Sequence, residues 1–157
     1  MNKSLMTIYM ALLGIGIGVE FAAGAFVAPV IFHPERYLGN DVLTHFQSGI
    51  LMTQVFLKTN MVLGLIAFYS IMFEIVTWAK KNNKDIFTLG CAFLIVLLTA
   101  LFLFYYTPFI VDAQNIGSEA TTSEAFNKMH KESELVMKLL MISQVGLLFR
   151  RMWLIQK

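Results

Sequence analysis

His130, Glu134 and Lys138 recur at i, i+4 and i+8, which puts an imidazole, a carboxylate and an ammonium on one helical face, continued by Met141 and Val145. Glu134 precedes Lys138 by one turn, the favourable order for a helical ion pair, while Glu132 points elsewhere into solvent. Gln47, Gln54 and Lys58 follow roughly one face of an earlier run, and Glu20 interrupts an apolar stretch near the start. Counting inward at about 1.5 Å per residue puts Glu20, Lys58 and Lys138 each roughly 15–20 Å below the beginning of its run. A lone charge at that depth in a membrane is costly. The expectation is that Glu20, Lys58, Glu134 and Lys138 converge and neutralise one another, lining a substrate or ion pathway. A second reading stands beside it: the same charges act only as glue that fixes helix register, with Lys58 and Lys138 reaching outward on their long stems. Glu74, within two turns of Lys80 and Lys81, reads as interfacial.

The histidines, His33, His45 and His130, suit copper or another transition metal, and Met52, Met129 and Met137 could add soft ligands for Cu(I). No tight His-Cys or His-Met motif supports this, and isolated histidines at a membrane edge are common. Haem between His45 and His130 is the less favoured cofactor. There is no nucleophile elbow, no zinc-protease motif and no convincing pair of outward acids, so the chain does not read as an enzyme. The single cysteine, Cys91, lies in an apolar run and reads as a small buried hydrophobe.

These groups need elements to carry them, and composition says which. Of the 157 residues, 57% are hydrophobic and 14% charged, with a mean hydropathy of +0.68. A soluble domain carries about one quarter charged residues to cover its outside. A net charge of +2, with no basic run interleaved with aromatics, excludes a nucleic-acid partner. Four apolar runs approach or exceed the roughly 20 residues a spanning helix needs: 5–32, 46–78, 86–111 and 125–155. The fold expected is all-α, an integral membrane four-helix bundle in one domain. A cleaved signal peptide fits less well, because the first apolar run continues past Ala25 to Phe32.

Basic residues set the orientation. Lys3, the group Lys80, Lys81 and Lys84, and Arg150, Arg151 and Lys157 put both termini and the second loop in the cytoplasm. Trp78 and Trp153 fall at the same boundary. The first and third loops, 33–45 and 112–124, then face outward with all the histidines. In a bacterium this would be a multi-pass protein of the inner membrane. Gly14, Gly16, Gly18 and Gly24 give the first helix a close-packing face and a candidate homo-oligomer contact within the lipid bilayer.

Residues 21–32, from Phe21 to Phe32 and including Pro29, together with Thr107-Pro108 and then Phe126, Met129, His130 and Ser133, resemble the transmembrane-protein-205-like family, a domain of unknown function. The resemblance covers nearly the whole chain. It implies four membrane helices, a Gly-rich first helix followed by proline, and a Phe-x-x-x-His element before the last helix, matched by Phe126 and His130 and followed by the basic Lys131. It hints at metal or small-molecule handling and gives no role to Glu20 or Lys58. Three functions follow: handling of a metal ion or small solute, a non-catalytic accessory membrane protein with a dry interior, or, less favoured, a membrane redox protein that holds haem.

Overall fold

Three of the long helices begin where the sequence supplies a cap. Thr44 accepts from the Gln47 amide while the Gln47 side chain accepts from the Thr44 amide, a reciprocal capping box. Asp85 accepts from Thr88 N at 3.0 Å, and Ser123 accepts from Phe126 N at 3.2 Å. The computed structural model describes residues 3–39, 42–80 and 85–156. The side chain of Lys3 and the expected anchors Lys81, Lys84 and Lys157 lie outside the described residues.

Among the described residues the chain is all-helical and forms four long rods. The first is α1 (Lys3–Ala22), a π-helical turn (Ala23–Val27) and α2 (Ala28–Phe32). After the short α3 (Glu35–Leu38) comes the second rod, α4 (His45–Ala79). The third is α5 (Ile86–Leu101), a second π-helical turn (Phe102–Tyr106) and α6 (Thr107–Ile116). The short α7 (Ser118–Thr121) leads to the fourth rod, α8 (Glu124–Ile155). Three of these, Ser4–Phe32, His45–Ala79 and Ile86–Ile116, are long and apolar enough to cross a membrane.

Both π turns end two residues before a proline, Pro29 and Pro108. Proline lacks an N–H and its ring collides with the carbonyl one turn back, so the wider turn lets the helix continue through it. In the third rod Thr107 donates its hydroxyl to the Phe102 carbonyl at 2.8 Å, adding a second donor at the widened turn.

The sequence places the third loop at 112–124, yet helix continues through Asp112, Gln114 and Asn115 to Ile116. Polar residues end an apolar run without ending a helix. The break falls at Gly117, whose φ of 131° suits a residue without Cβ. The first loop similarly holds a helical turn, closed by Gly39 at φ 74°.

The α1 helix packs on α4 and α8, and α5 packs on the same two, so the rods form a ring with both chain termini at one end. Met6, Tyr9, Leu13, Gly16, Glu20 and Ala23, alternately three and four residues apart, form the inward stripe of the first rod. Leu13, Leu63, Ile95, Leu140 and Leu147 are essentially inaccessible and close the centre. Cys91 belongs to this core, as its setting in the sequence suggests.

Gly16 is the close approach. A Cβ there would run into Ile66 Cδ1 and lie 3.1 Å from Gln144 Oε1, whereas one at Gly14 or Gly18 would meet nothing within 4 Å. We expect Gly16→Val to destabilise the fold by about 1–3 kcal/mol, and Gly14→Ala and Gly18→Ala to leave the melting temperature in detergent nearly unchanged. Equal losses at the three positions would contradict this packing.

Candidate functional site: buried polar pairs between the helices

The charges expected to converge do not. Lys58, Glu134 and Lys138 are exposed, and of that group only Glu20 is buried. The reason is helical phase, which depth alone does not report. On α4 the buried face runs through Thr59, Leu63, Ile66, Ser70, Glu74 and Thr77, and Lys58 lies on the opposite face with Gln54, Met61 and Leu65. On α8 the buried face is Val136, Leu140, Gln144, Leu147 and Arg151, leaving Glu134 and Lys138 outside. There Glu134 sits 3.3 Å from His130 and 3.6 Å from Lys138, the local ladder that the i, i+4, i+8 spacing implies.

The three histidines are exposed and separate. His33 pairs with Glu35 at 3.3 Å, His45 packs on the Phe32 ring, and His130 stacks on Phe126. Among the described residues no group of three His, Cys, Asp or Glu side chains is placed to hold a metal.

What the core does hold is two polar pairs between helices. The first joins α4 to α8. Glu74 and Arg151, each with 1% of its side chain exposed, make a two-pronged pair: Arg151 Nε donates to Glu74 Oε1 at 2.8 Å and Nη2 donates to Oε2. Tyr9 from α1 joins them, its ring stacked on Phe73 at 4.2 Å and its hydroxyl facing Ser70 and Glu74. Arg151 also lies over the Phe73 ring at 5.4 Å. The Glu74 expected at the interface is therefore a core residue, and its partner is the arginine read as an anchor.

The neighbouring Arg150 turns to a different helix. It grips Asp85, the cap of α5, through Nε at 2.9 Å and Nη2 at 2.5 Å, and covers the Trp153 ring at 4.4 Å. Burial of Asp85 opposes its ionisation, but hydrogen bonds from Arg150 and the Thr88 amide, with the charges of Arg150 and Arg151, outweigh it and hold its carboxyl below the usual aspartate range.

The second core pair joins α1 to α8. Gln144 donates its amide to Glu20 Oε1 at 2.5 Å, in the space that Gly16 leaves open. Glu20 Oε2 and Gln144 Oε1 are buried without a hydrogen-bond partner among the described residues.

Neutral hydrogen bonds tie the rods at the end away from the termini. Ser48 donates to the Ile31 carbonyl at 2.8 Å, Asn60 to Thr107 Oγ1 at 3.1 Å, and Gln114 to Thr53 Oγ1 at 3.0 Å. A cavity of about 220 Å³ opens at the edge of this end between Tyr105, Phe109, Met129 and Glu132. A smaller one of about 90 Å³ is an apolar crease beside Leu12 and Tyr69.

The profile of a family described as a domain of unknown function, DUF4149, matches residues 11–119. The chain belongs to this family. The match takes in Glu20, Glu74 and Asp85 but ends before their partners Gln144, Arg151 and Arg150. No curated protein and no solved structure matches the chain.

Glu74→Gln and Arg151→Leu should each destabilise the protein by about 3–5 kcal/mol, because each strands a buried partner. Joint replacement by Met at both positions should recover most of that loss. A double-mutant cycle by reversible unfolding in mixed micelles measures the coupling, and additive losses would show that the pair is not a unit. Because folding lowers the ionisation range of Asp85, its contribution is full at neutral pH and disappears as the pH falls through that lowered range. Asp85→Asn should flatten that part of the acid stability profile.

Proposed function

We propose that this protein is a closed, non-catalytic accessory membrane protein with four spans and both termini in the cytoplasm. One observation carries this reading: of the four groups that would line a pathway, Lys58, Glu134 and Lys138 lie outside and Glu20 alone lies within, while Leu13, Leu63, Ile95, Leu140 and Leu147 fill the centre. Handling of a metal ion or small solute through one cluster of these groups loses its geometric basis, because Lys58 and the His130–Glu134–Lys138 ladder lie outside while Glu20 lies within.

Four spans require α8 to cross, although its composition is less apolar than that of the other rods. Its support is the exposed band Leu135, Leu139, Ile142, Phe149, Met152 and Trp153. Counting about 20 residues back from Trp153 reaches Ser133, so Glu134 lies at the far boundary and Lys138 can snorkel to it. The same count back from Trp78 reaches Lys58. On this reading the far ends of the rods stand beyond the hydrocarbon, which removes the membrane cost of both lysines. The DUF4149 match over residues 11–119 is compatible with a place in the transmembrane-protein-205-like group.

Two measurements test the proposal. In a Cys91→Ala background, Ser118→Cys should react with an impermeant maleimide from outside intact cells, and Gln156→Cys only after permeabilisation. Labelling of both from the same side would refute the topology. In proteoliposomes the protein should give no proton, copper or zinc flux above empty vesicles. A flux that Lys138→Ala abolishes without loss of protein would replace the accessory reading with transport.

A further inference from the structure

Glu20 differs from the other buried acid of the core. Glu74 meets a guanidinium; Glu20 meets only the side-chain amide of Gln144. Glu20 is 6% exposed and Gln144 is fully buried. Of three acceptor oxygens, the two of Glu20 and that of Gln144, only Glu20 Oε1 receives a hydrogen bond, from the Gln144 amide nitrogen; among the described residues Glu20 Oε2 and Gln144 Oε1 have no donor. A buried carboxylate requires a cation or several donors.

The surroundings supply neither. From α8 the facing polar group is Gln144. From α4, Ile66 packs beside Gly16, one turn from Glu20. Lys58 is turned outward and Glu74 is committed to Arg151. No charged side chain acts on Glu20 among the described residues. The missing component is a hydrogen donor, and one proton on the carboxyl both removes the charge and provides it.

We propose that Glu20 is a proton-binding site inside the core, occupied at neutral pH, with the neutral carboxylic acid as the form that packs against Gln144. The proton comes from water and returns to water when the carboxyl ionises, so the site exchanges one proton and one unit of charge. Ionisation leaves a carboxylate facing an amide oxygen, which pushes α1 and α8 apart. The site is thus a proton-dependent lock between the first and last rods. Gly16 is part of it, since any Cβ there would press on the Gln144 carboxamide.

A protonated carboxyl in an apolar setting adds across the C=N bond of a hydrophobic carbodiimide, and the adduct rearranges to a stable N-acylurea that keeps every atom of both partners. The full-length protein in lipid nanodiscs, treated with dicyclohexylcarbodiimide at neutral pH, should gain the mass of one reagent at Glu20, and Glu20→Gln should gain none there. Infrared spectroscopy gives a measure independent of reagent access: the wild type should show a protonated-carboxyl C=O band that Glu20→Gln lacks. Glu20→Gln should melt close to the wild type, because a neutral amide replaces a neutral acid of the same shape. Absence of that band from the wild type at neutral pH would overturn the proposal. Loss of both band and labelling on adding sodium at constant pH would also overturn it, assigning the oxygens to a metal cation instead.

Discussion

Arg151 and Glu74 face each other across α4 and α8 with 1% of each side chain exposed, and neither is tolerable there alone. That requirement fixes how the two helices slide and turn against each other. A shift of one residue along α8 would rotate Arg151 by about 100° and leave two buried charges unmet. The same rotation explains Arg150. Successive residues of a helix point to different neighbours, so Arg150 reaches the cap of α5 while Arg151 reaches Glu74 near the C-terminal end of α4. One dipeptide near the end of the chain thereby ties three helices together. The α8 helix, the least apolar of the rods, supplies Gln144, Arg150 and Arg151 to its neighbours, while Glu134 and Lys138 stay exposed on its other side.

The opposite end is held differently. Prolines at Pro29 and Pro108 would break ordinary helix, and π turns carry each rod past them. Neutral contacts then join the rods: Ser48 to a main-chain carbonyl, Asn60 to Thr107, Gln114 to Thr53. Each is worth less than the charged pair and less sensitive to register. Strict positioning belongs to the termini end, and the far end has weaker and more numerous ties. The two cavities sit at edges rather than along the axis, as expected of a core closed by leucine and isoleucine.

The all-helical fold and three long apolar helices were legible because length and hydropathy decide them. The site was not, because depth along a helix does not say which face a residue occupies. Glu20, Lys58 and Lys138 are comparably deep by counting, yet only Glu20 shares the inward stripe with Tyr9, Leu13 and Gly16. Gln144 and Arg151 stand seven apart in step with Leu140 and Leu147, a core spacing filled by polar residues, and that pattern was present in the sequence. Glu74 was hidden by its nearness to Lys80: sequence proximity offered a partner while the buried face of α4 supplied another from far along the chain. The ladder of His130, Glu134 and Lys138 was correctly placed on one face, but that face is the exposed one. Periodicity shows which residues share a face, and only packing shows where the face points.

The two core pairs also differ in what they demand of the solvent. Glu74 and Arg151 cancel each other, so their geometry can persist while both remain charged. Glu20 and Gln144 cannot cancel, since an amide has no charge to offer, and their fit depends on a proton supplied from outside. Among its described side chains the first rod contributes the acid Glu20 to the interior, together with the Tyr9 hydroxyl beside Glu74. Its seat against α8 therefore rests on close packing at Gly16 and on the state of one acid. The α4, α5 and α8 helices form a unit fixed by two ion pairs, and α1 is the element whose attachment a change in protonation can alter. A bundle whose centre is filled by Leu13, Leu63, Ile95, Leu140 and Leu147 can still respond to the proton activity around it, by loosening one helix.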